Sequence, residues 1–167
     1  LDARFHTPNG LHARFIDRRL AAKMRRAGFI TIRLGLESAD PARQAQDGGK
    51  VDRPLFARAV EALFAAGFAP SDLAAYVLAG RPGQRVEQVR ETVAFAHQLG
   101  VPVQIAQFSP IPGTAEWAAA VDAGCIAPGA DPLLHNNSLY PCGSAPAWER
   151  LKVEVRAANR QLVRASS

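Results

Sequence analysis

Residues 17–36 read DRRLAAKMRRAGFITIRLGL, a polar segment with helical periodicity that is followed by a glycine and then by an apolar run. Asp17 is suited to cap the helix at its start, and Gly28 is suited to end it. Residues 31–36 are apolar nearly throughout, which is typical of a strand covered on both faces of a parallel sheet. This stretch therefore predicts one helix and strand unit of an α/β fold.

The same unit recurs twice further along the chain. In the second copy Asp52 precedes the helix and Gly67 ends it, before the apolar run Leu73–Ala79. In the third copy Gly100 ends the helix, and residues 103–108 form the next apolar run. Strands that alternate with helices of 10 to 15 residues indicate a parallel sheet with helices packed outside it.

Residues 3–8 add one more strand before the first helix, so we predict about four parallel strands. An eight-stranded barrel needs about 250 residues, and the chain has 167, so we expect a partial TIM-type (β/α) barrel or a small open sheet. Beyond about residue 120 the pattern changes to a loop rich in Pro, Gly and Asn and a last basic helix over 148–163. We therefore divide the chain into 1–120 and a C-terminal extension, 121–167.

Composition excludes several classes of protein. With 48% hydrophobic and 21% charged residues the chain is ordinary for a globular domain, and it has no apolar run of the roughly 18 residues that a membrane span needs. Its two cysteines are too few for a disulfide framework, so a cytoplasmic location is expected. The net charge of +5 is concentrated in the N-terminal third, which leaves an RNA-modifying enzyme as a minor hypothesis, resting on Arg18, Arg19, Arg25 and Arg26.

Chemistry is expected at the carboxyl ends of the strands, where loops of a parallel sheet form a common crevice. Glu37 directly follows an apolar strand, and Lys50 follows a Gly-Gly pair that could bring it to the same place. A capping or ion-paired glutamate and an ordinary solvated lysine remain open as structural interpretations. The turn at 80–84 lacks the Gly-Lys-Ser/Thr ending of a phosphate loop, and the histidines show no metal-binding spacing.

Four strand-end segments together resemble the radical S-adenosylmethionine (SAM) superfamily. The resemblance covers about residues 1–120 and is to the later, C-terminal half of the catalytic barrel, in particular in members that carry a cobalamin-binding domain. In chain order the segments read TPNGLHA at 7–13, IRLGLES at 32–38, LAGRPGQ at 78–84 and FSPIPGT at 108–114.

The resemblance implies an enzyme with a (β/α)6 barrel whose first strand is followed by a Cys-x-x-x-Cys-x-x-Cys loop that holds a [4Fe-4S] cluster. The cluster binds SAM and cleaves it reductively to a 5′-deoxyadenosyl radical. A cobalamin cofactor in the parent protein is a further expectation. The substrate, small or macromolecular, is not indicated by the sequence.

The resemblance also implies residue roles. Glu37, followed by Ser38, would contact the ribose or methionyl group, and Lys50 would pair with the methionyl carboxylate. Tyr76 stands where several relatives have an acidic ribose contact. The remaining expected SAM-binding residues would line the adenine, and these are Leu78, Gly80, Ser109, Pro110 and Ile111. Two further residues, Thr7 and Asn9, would face SAM or substrate.

One departure limits this interpretation, because the cysteine motif is absent from the chain. We therefore assign no catalytic or metal-binding residue here, expect the cluster ligands in an upstream half of the same polypeptide, and predict that the chain alone is inactive. Open sheet edges would also favour a homodimer of the isolated chain. The alternative is a non-catalytic α/β scaffold or interaction module.

Overall fold

β3 is the strand around which the sheet is built, and all strand pairs are parallel. The computed structural model describes residues 3–39, 52–131 and 142–165. Along the sheet the order is β1-β3-β4-β5, and β2 pairs with the same edge of β3 further along. The strands are β1 (Phe5–His6), β2 (Leu11–His12), β3 (Phe29–Glu37), β4 (Leu73–Ala79) and β5 (Val103–Gln107). Because β1 and β2 share one position, the sheet has the four positions that the sequence predicts, and the α/β half-barrel is confirmed.

Helices connect successive strands, and the first two begin directly after the caps that the sequence predicts, whereas the last begins three residues before its predicted start. The Asp17 carboxylate accepts from the Leu20 N–H at 2.7 Å, and the Asp52 carboxylate accepts from the Leu55 N–H at the same distance. Both bonds satisfy amides that have no partner inside the helix. The helices are α1 (Arg18–Arg26), α2 (Arg53–Ala65), α3 (Val86–Gln98), α4 (Ala115–Asp122) and α5 (Ala145–Ala165). No described helix is long and apolar enough to cross a membrane.

The sheet has two unlike faces. The outer face carries buried apolar side chains such as Leu34 on β3 and Val77 on β4, which belong to the same core as Phe56 and Val93 of the helices. The inner face carries the alternate residues of each strand, whose side chains point away from the helices. Strand register places Arg33 beside Ala74 and Tyr76 beside Gln104 on this face. This inner face corresponds to the interior of a barrel.

The first strand differs from its prediction over residues 3–8. It is interrupted after His6 because the Thr7 side chain takes over the backbone pairing: its hydroxyl accepts from the Arg33 N–H at 2.7 Å. Pro8 has no N–H to donate to a ladder, and pairing resumes only at Leu11. The interruption leaves a loop, 7–10, that lies against the end of β3.

α5 covers the β5 edge, which we expected to be open. Its buried residues Trp148, Leu151 and Val155 join the main core. The Asn159 side chain pairs with β5 as a strand would, since its Oδ1 accepts from the Val103 N–H at 2.9 Å and its Nδ2 donates to the Val103 carbonyl at 2.7 Å. The edge beside β1 and β2 has no such covering helix among the described residues.

Candidate functional site

The carboxyl ends of β3, β4 and β5 and the 7–10 loop lie at one end of the sheet. This follows from the parallel pairing, which sets Glu37 beside Val77 and Ala79 beside Gln107. Ten of the eleven residues predicted to bind SAM or substrate belong to these strand ends or to the loops that follow them. The exception is Lys50, which lies outside the described residues.

Glu37 has a strained backbone. Its φ is 58°, and it is the one described residue other than glycine in the left-handed region. The Ser38 N–H donates to the Leu36 carbonyl at 2.6 Å, so Glu37 is the central residue of a tight γ-turn, and strand register shifts between Gly35 and Glu37. Backbone strain of this kind costs about 1–3 kcal/mol and is concentrated at functional sites.

The two residues after Glu37 are engaged within the protein, whereas the Glu37 side chain is not. Ser38 is buried, and the next N–H, of Ala39, donates to the buried Thr92 hydroxyl at 3.0 Å. The Glu37 side chain itself is half-exposed and forms no hydrogen bond or ion pair with the described residues. A carboxylate held at the mouth of the half-barrel in this way is suited to bind a ligand that carries hydroxyl groups or a positive charge.

Tyr76 fills the inner face next to the 7–10 loop. Strand register sets Tyr76 beside Gly35, and its hydroxyl donates to the Pro8 carbonyl at 3.0 Å. A Cβ added to Gly10 would lie 3.0 Å from the Gly35 nitrogen and 3.3 Å from Cδ2 of Tyr76. Tyr76 and the two glycines therefore fix the loop that carries Asn9, whose side chain is exposed.

Thr7 is engaged in the sheet, since its hydroxyl accepts from the Arg33 N–H and also lies 3.4 Å from the Thr31 carbonyl, to which it donates. The residue is 7% exposed. Its hydroxyl thus has protein partners on both sides, and among the two residues predicted to face SAM or substrate Asn9 is the one with a side chain open to solvent.

The turn after β4 is organised by Gln84, which the sequence analysis did not single out. Its Oε1 accepts from the Gly80 N–H at 2.9 Å and the Arg81 N–H at 3.2 Å, while its Nε2 donates to the Leu78 carbonyl at 3.0 Å. Gly80 has a φ of 88° that suits glycine. A glutamine five residues after the last residue of a strand was the available signal.

Arg81, also missed, ties this turn to the segment after β5. It is 5% exposed, its guanidinium lies 5.9 Å from the centre of the Phe108 ring, and its Nη2 lies 3.3 Å from Oε1 of Glu116 on α4. Between these two partners the chain passes Ser109, which is half-buried, and Pro110, which is buried. The predicted adenine-binding segments are thus held together by a buried cation.

Ile111 follows as an exposed apolar side chain, with 67% of its surface accessible. Its carbonyl accepts from the Thr114 hydroxyl at 2.7 Å, and the same hydroxyl accepts from the Trp117 N–H to begin α4. The turn is therefore rigid while its apolar side chain is accessible, as a residue that packs on a flat ligand needs to be.

No metal centre is formed by the part of the chain that the structure describes, because it contains no cluster of three or more His, Cys, Asp or Glu side chains. Cys125 and Cys142 are free thiols that contact each other, although 17 positions separate them. Burial, followed by the hydrogen bond with Cys125, raises the pKa of the Cys142 thiol to about 12. Two thiols without further ligands do not supply the three cysteines that the resemblance to radical SAM enzymes implies for a [4Fe-4S] cluster.

The basic residues of α1, on which the RNA hypothesis rests, are partly used within the protein. Arg18 pairs with Glu61 at 2.9 Å, and Arg25 lies 3.8 Å from Asp72 and over the Phe68 ring. Two of the four arginines therefore have intramolecular partners, which weakens α1 as a nucleic-acid surface.

A solved structure of known function has the same fold. The chain is similar to coproporphyrinogen III oxidase (HemN) from Escherichia coli, a radical SAM enzyme, with a TM-score of 0.63 and 15% sequence identity over 96% of this chain. The match spans 33% of the HemN chain, so this sequence corresponds to about a third of that enzyme's length. No family model matches the chain, and no curated protein matches it. The likeness shows the fold; the cobalamin-domain resemblance and the assignment to the later half of the barrel stay predictions.

Proposed function

We propose that this chain is the later half of a radical SAM barrel and that its strand ends bind SAM beside a [4Fe-4S] cluster held by an upstream segment of the same polypeptide. The observation that carries the proposal is Glu37, a strained and accessible carboxylate at the mouth of a half-barrel whose fold is found in a radical SAM enzyme. SAM bound to a reduced cluster supplies the radical chemistry.

The residues of this chain would bind and orient the cofactor. Glu37 would accept hydrogen bonds from the ribose hydroxyls or the methionyl ammonium of SAM, and Lys50 would pair with the methionyl carboxylate. Leu78 and Ile111 would pack on the adenine, with the backbone around Gly80 and Ser109–Pro110 completing that subsite. Asn9 would face the methionyl end or the substrate.

The open edge of β1 and β2 is where we place the upstream strands. A parallel sheet can be extended there by further strands, whereas Asn159 and α5 cover β5. The same open edge would serve a homodimer of the isolated chain, in which a second copy replaces the missing strands. Stoichiometric cluster assembly and SAM cleavage by the isolated chain would contradict the predicted inactivity.

The test begins with the coding region upstream of Leu1, where the proposal requires a Cys-x-x-x-Cys-x-x-Cys motif. SAM binding to the polypeptide that contains it should then be measured by calorimetry for the wild type and for Glu37→Ala, with Glu61→Ala as a control. Glu61 is a surface glutamate on α2, and its replacement by alanine removes a carboxylate in the same way as Glu37→Ala does. A loss of about tenfold in affinity for Glu37→Ala alone supports the proposal; equal affinity of both variants contradicts the role of Glu37.

A non-catalytic scaffold remains the second candidate, and one observation favours it. Gln84 and Thr7 satisfy the polar groups of two strand ends from within the protein, which a purely structural domain would also need. An upstream region without the cysteine motif, together with no SAM binding, would decide for the scaffold.

A further inference from the structure

A second cleft, which shares no residue with the candidate SAM site, lies beside β5 and α5. Its volume is about 630 Å³, the size of many small-molecule sites. It includes Ser71 and Pro102, which precede β4 and β5, and Arg33 on the inner face of β3. Arg33 precedes Glu37 by four residues on one strand, a separation of about 13 Å. Most of the lining residues therefore lie toward the amino ends of the strands, while Gln107 lies at the carboxyl end of β5, and none of them is a residue assigned to the candidate SAM site.

The charged residues that line this cleft, among those that the structure describes, are all basic. Arg33, Lys152 and Arg156 contribute positive charge, and no aspartate or glutamate of the described ranges lines it. The Arg33 guanidinium forms no hydrogen bond or ion pair with the described residues, and the same holds for Arg156. Lys152 lies beside the acidic Glu149, with 3.5 Å between Nζ and Oε1.

Lys152 and Arg156 are also separated by one helical turn, where like charges repel each other by a few tenths of a kcal/mol. Glu154, which lies between them on α5, does not relieve this repulsion, because it is paired with Arg90 of α3. That ion pair lowers the pKa of Glu154, mainly through the hydrogen bond from Arg90. A folded protein that concentrates three cations around one cleft gains stability when an anion enters it.

We propose that this cleft binds phosphate groups of a ligand. Arg33 and Arg156 offer planar donor pairs that match phosphate oxygens, and Lys152 adds a compact point charge. With Lys152 already beside Glu149, the cleft still offers the two arginines to a doubly charged anion, whereas a single carboxylate would neutralise only one of them. The proposal is independent of SAM binding, since it uses none of the residues assigned to that site.

The experiment measures pyrophosphate binding to the 167-residue chain by calorimetry at low salt, with folding of every variant checked by its thermal melt. We expect Arg33→Gln and Arg156→Gln each to weaken binding by about tenfold. The control is Arg160→Gln, which removes the same charge one turn further along α5 from a residue that does not line the cleft. It should leave the affinity within about twofold.

Two results would overturn the proposal. One is no pyrophosphate binding at low salt, and the other is equal weakening by Arg156→Gln and Arg160→Gln, which would mean a diffuse charge effect. A 12-nucleotide oligouridylate then distinguishes the source of the phosphates. If it binds much more tightly than pyrophosphate and also depends on Arg33, the ligand is a nucleic-acid backbone; if it binds no more tightly, the ligand is a small phosphate ester.

Discussion

Replacing Asn159 by alanine should uncover the outer edge of β5 and lower the stability of the whole domain. The Asn159 side chain makes two hydrogen bonds with Val103, and its Oδ1 also accepts from Nε2 of His97 at 2.8 Å. In a parallel pair alternate residues direct their backbone groups to opposite sides, and Val103 is directed away from β4. Alanine would leave that N–H and carbonyl without a protein partner.

The magnitude follows from these three hydrogen bonds. At about 1 kcal/mol each they contribute about 3 kcal/mol. Alanine is the better helix former by about 0.5 kcal/mol, and partial exposure lets water replace some of the loss. We therefore expect the free energy of unfolding to fall by about 2 kcal/mol, which for a chain of this length lowers Tm by about 4–8 °C.

Thermal unfolding followed by circular dichroism measures the shift, and amide hydrogen exchange locates it. Exchange should accelerate at Val103, while amides on the β3 and β4 pairing keep their protection. Gln161→Ala is the matched control, because Gln161 is an exposed amide side chain on the same helix and its loss should change stability by less than 0.5 kcal/mol. An Asn159→Ala variant that melts within 1 °C of the wild type, with unchanged exchange at Val103, would refute the edge-pairing role.

Three further predictions concern strain, packing and thiol reactivity. Glu37→Gly should raise Tm by 2–4 °C because glycine removes about 1 kcal/mol of strain at φ 58°, whereas Glu37→Ala should not; equal melting temperatures for the two variants would mean an unstrained backbone. Gly10→Ala should cost about 1–3 kcal/mol in a urea titration, since its Cβ would meet the Gly35 backbone at 3.0 Å; an unchanged midpoint would show that the loop shifts freely. Maleimide at pH 8 should label the half-exposed Cys125 well before Cys142, which is 2% exposed and keeps its proton up to a pKa of about 12; mass spectrometry showing equal labelling rates would contradict the raised pKa.

The repeated units were predictable because their signals are local. Asp17 and Asp52 cap the helices that follow them, and Gly28, Gly67 and Gly100 take the positive φ that a helix stop requires. Such features depend on a few consecutive residues, and so a single sequence is enough to place them.

The first strand was predicted less well, because its pairing depends on a partner that is distant in the chain. Thr7 interrupts the strand by bonding to Arg33, which is 26 positions away, and nothing in residues 3–8 indicates this. Likewise the sequence predicts a basic helix over 148–163, but it does not indicate that Asn159 of this helix reaches Val103 across 56 positions. Long-range side-chain pairing of this kind has no periodic signature.

The place of the candidate site at the strand ends could be predicted from the sequence, whereas the contacts that support this part of the fold could not. Parallel strands place their carboxyl ends together, so strand-end residues such as Glu37 could be identified before any contact was known. The strained turn at Glu37 and the organising contacts of Gln84 and Arg81 could not, since they depend on the geometry of the turns. The roles of individual residues toward SAM stay predictions.

The side-chain pairing between α5 and β5 has a consequence for how such a protein can be lengthened. A primary amide presents one donor and one acceptor in nearly the geometry of a peptide group, so Asn159 ends the ladder as a further strand would continue it. Helix and strand modules can then be duplicated or lost on the β1 side of the sheet without disturbing this terminator. The number of helix and strand units on that side can vary, while the backbone groups of Val103 on β5 keep their partner, Asn159.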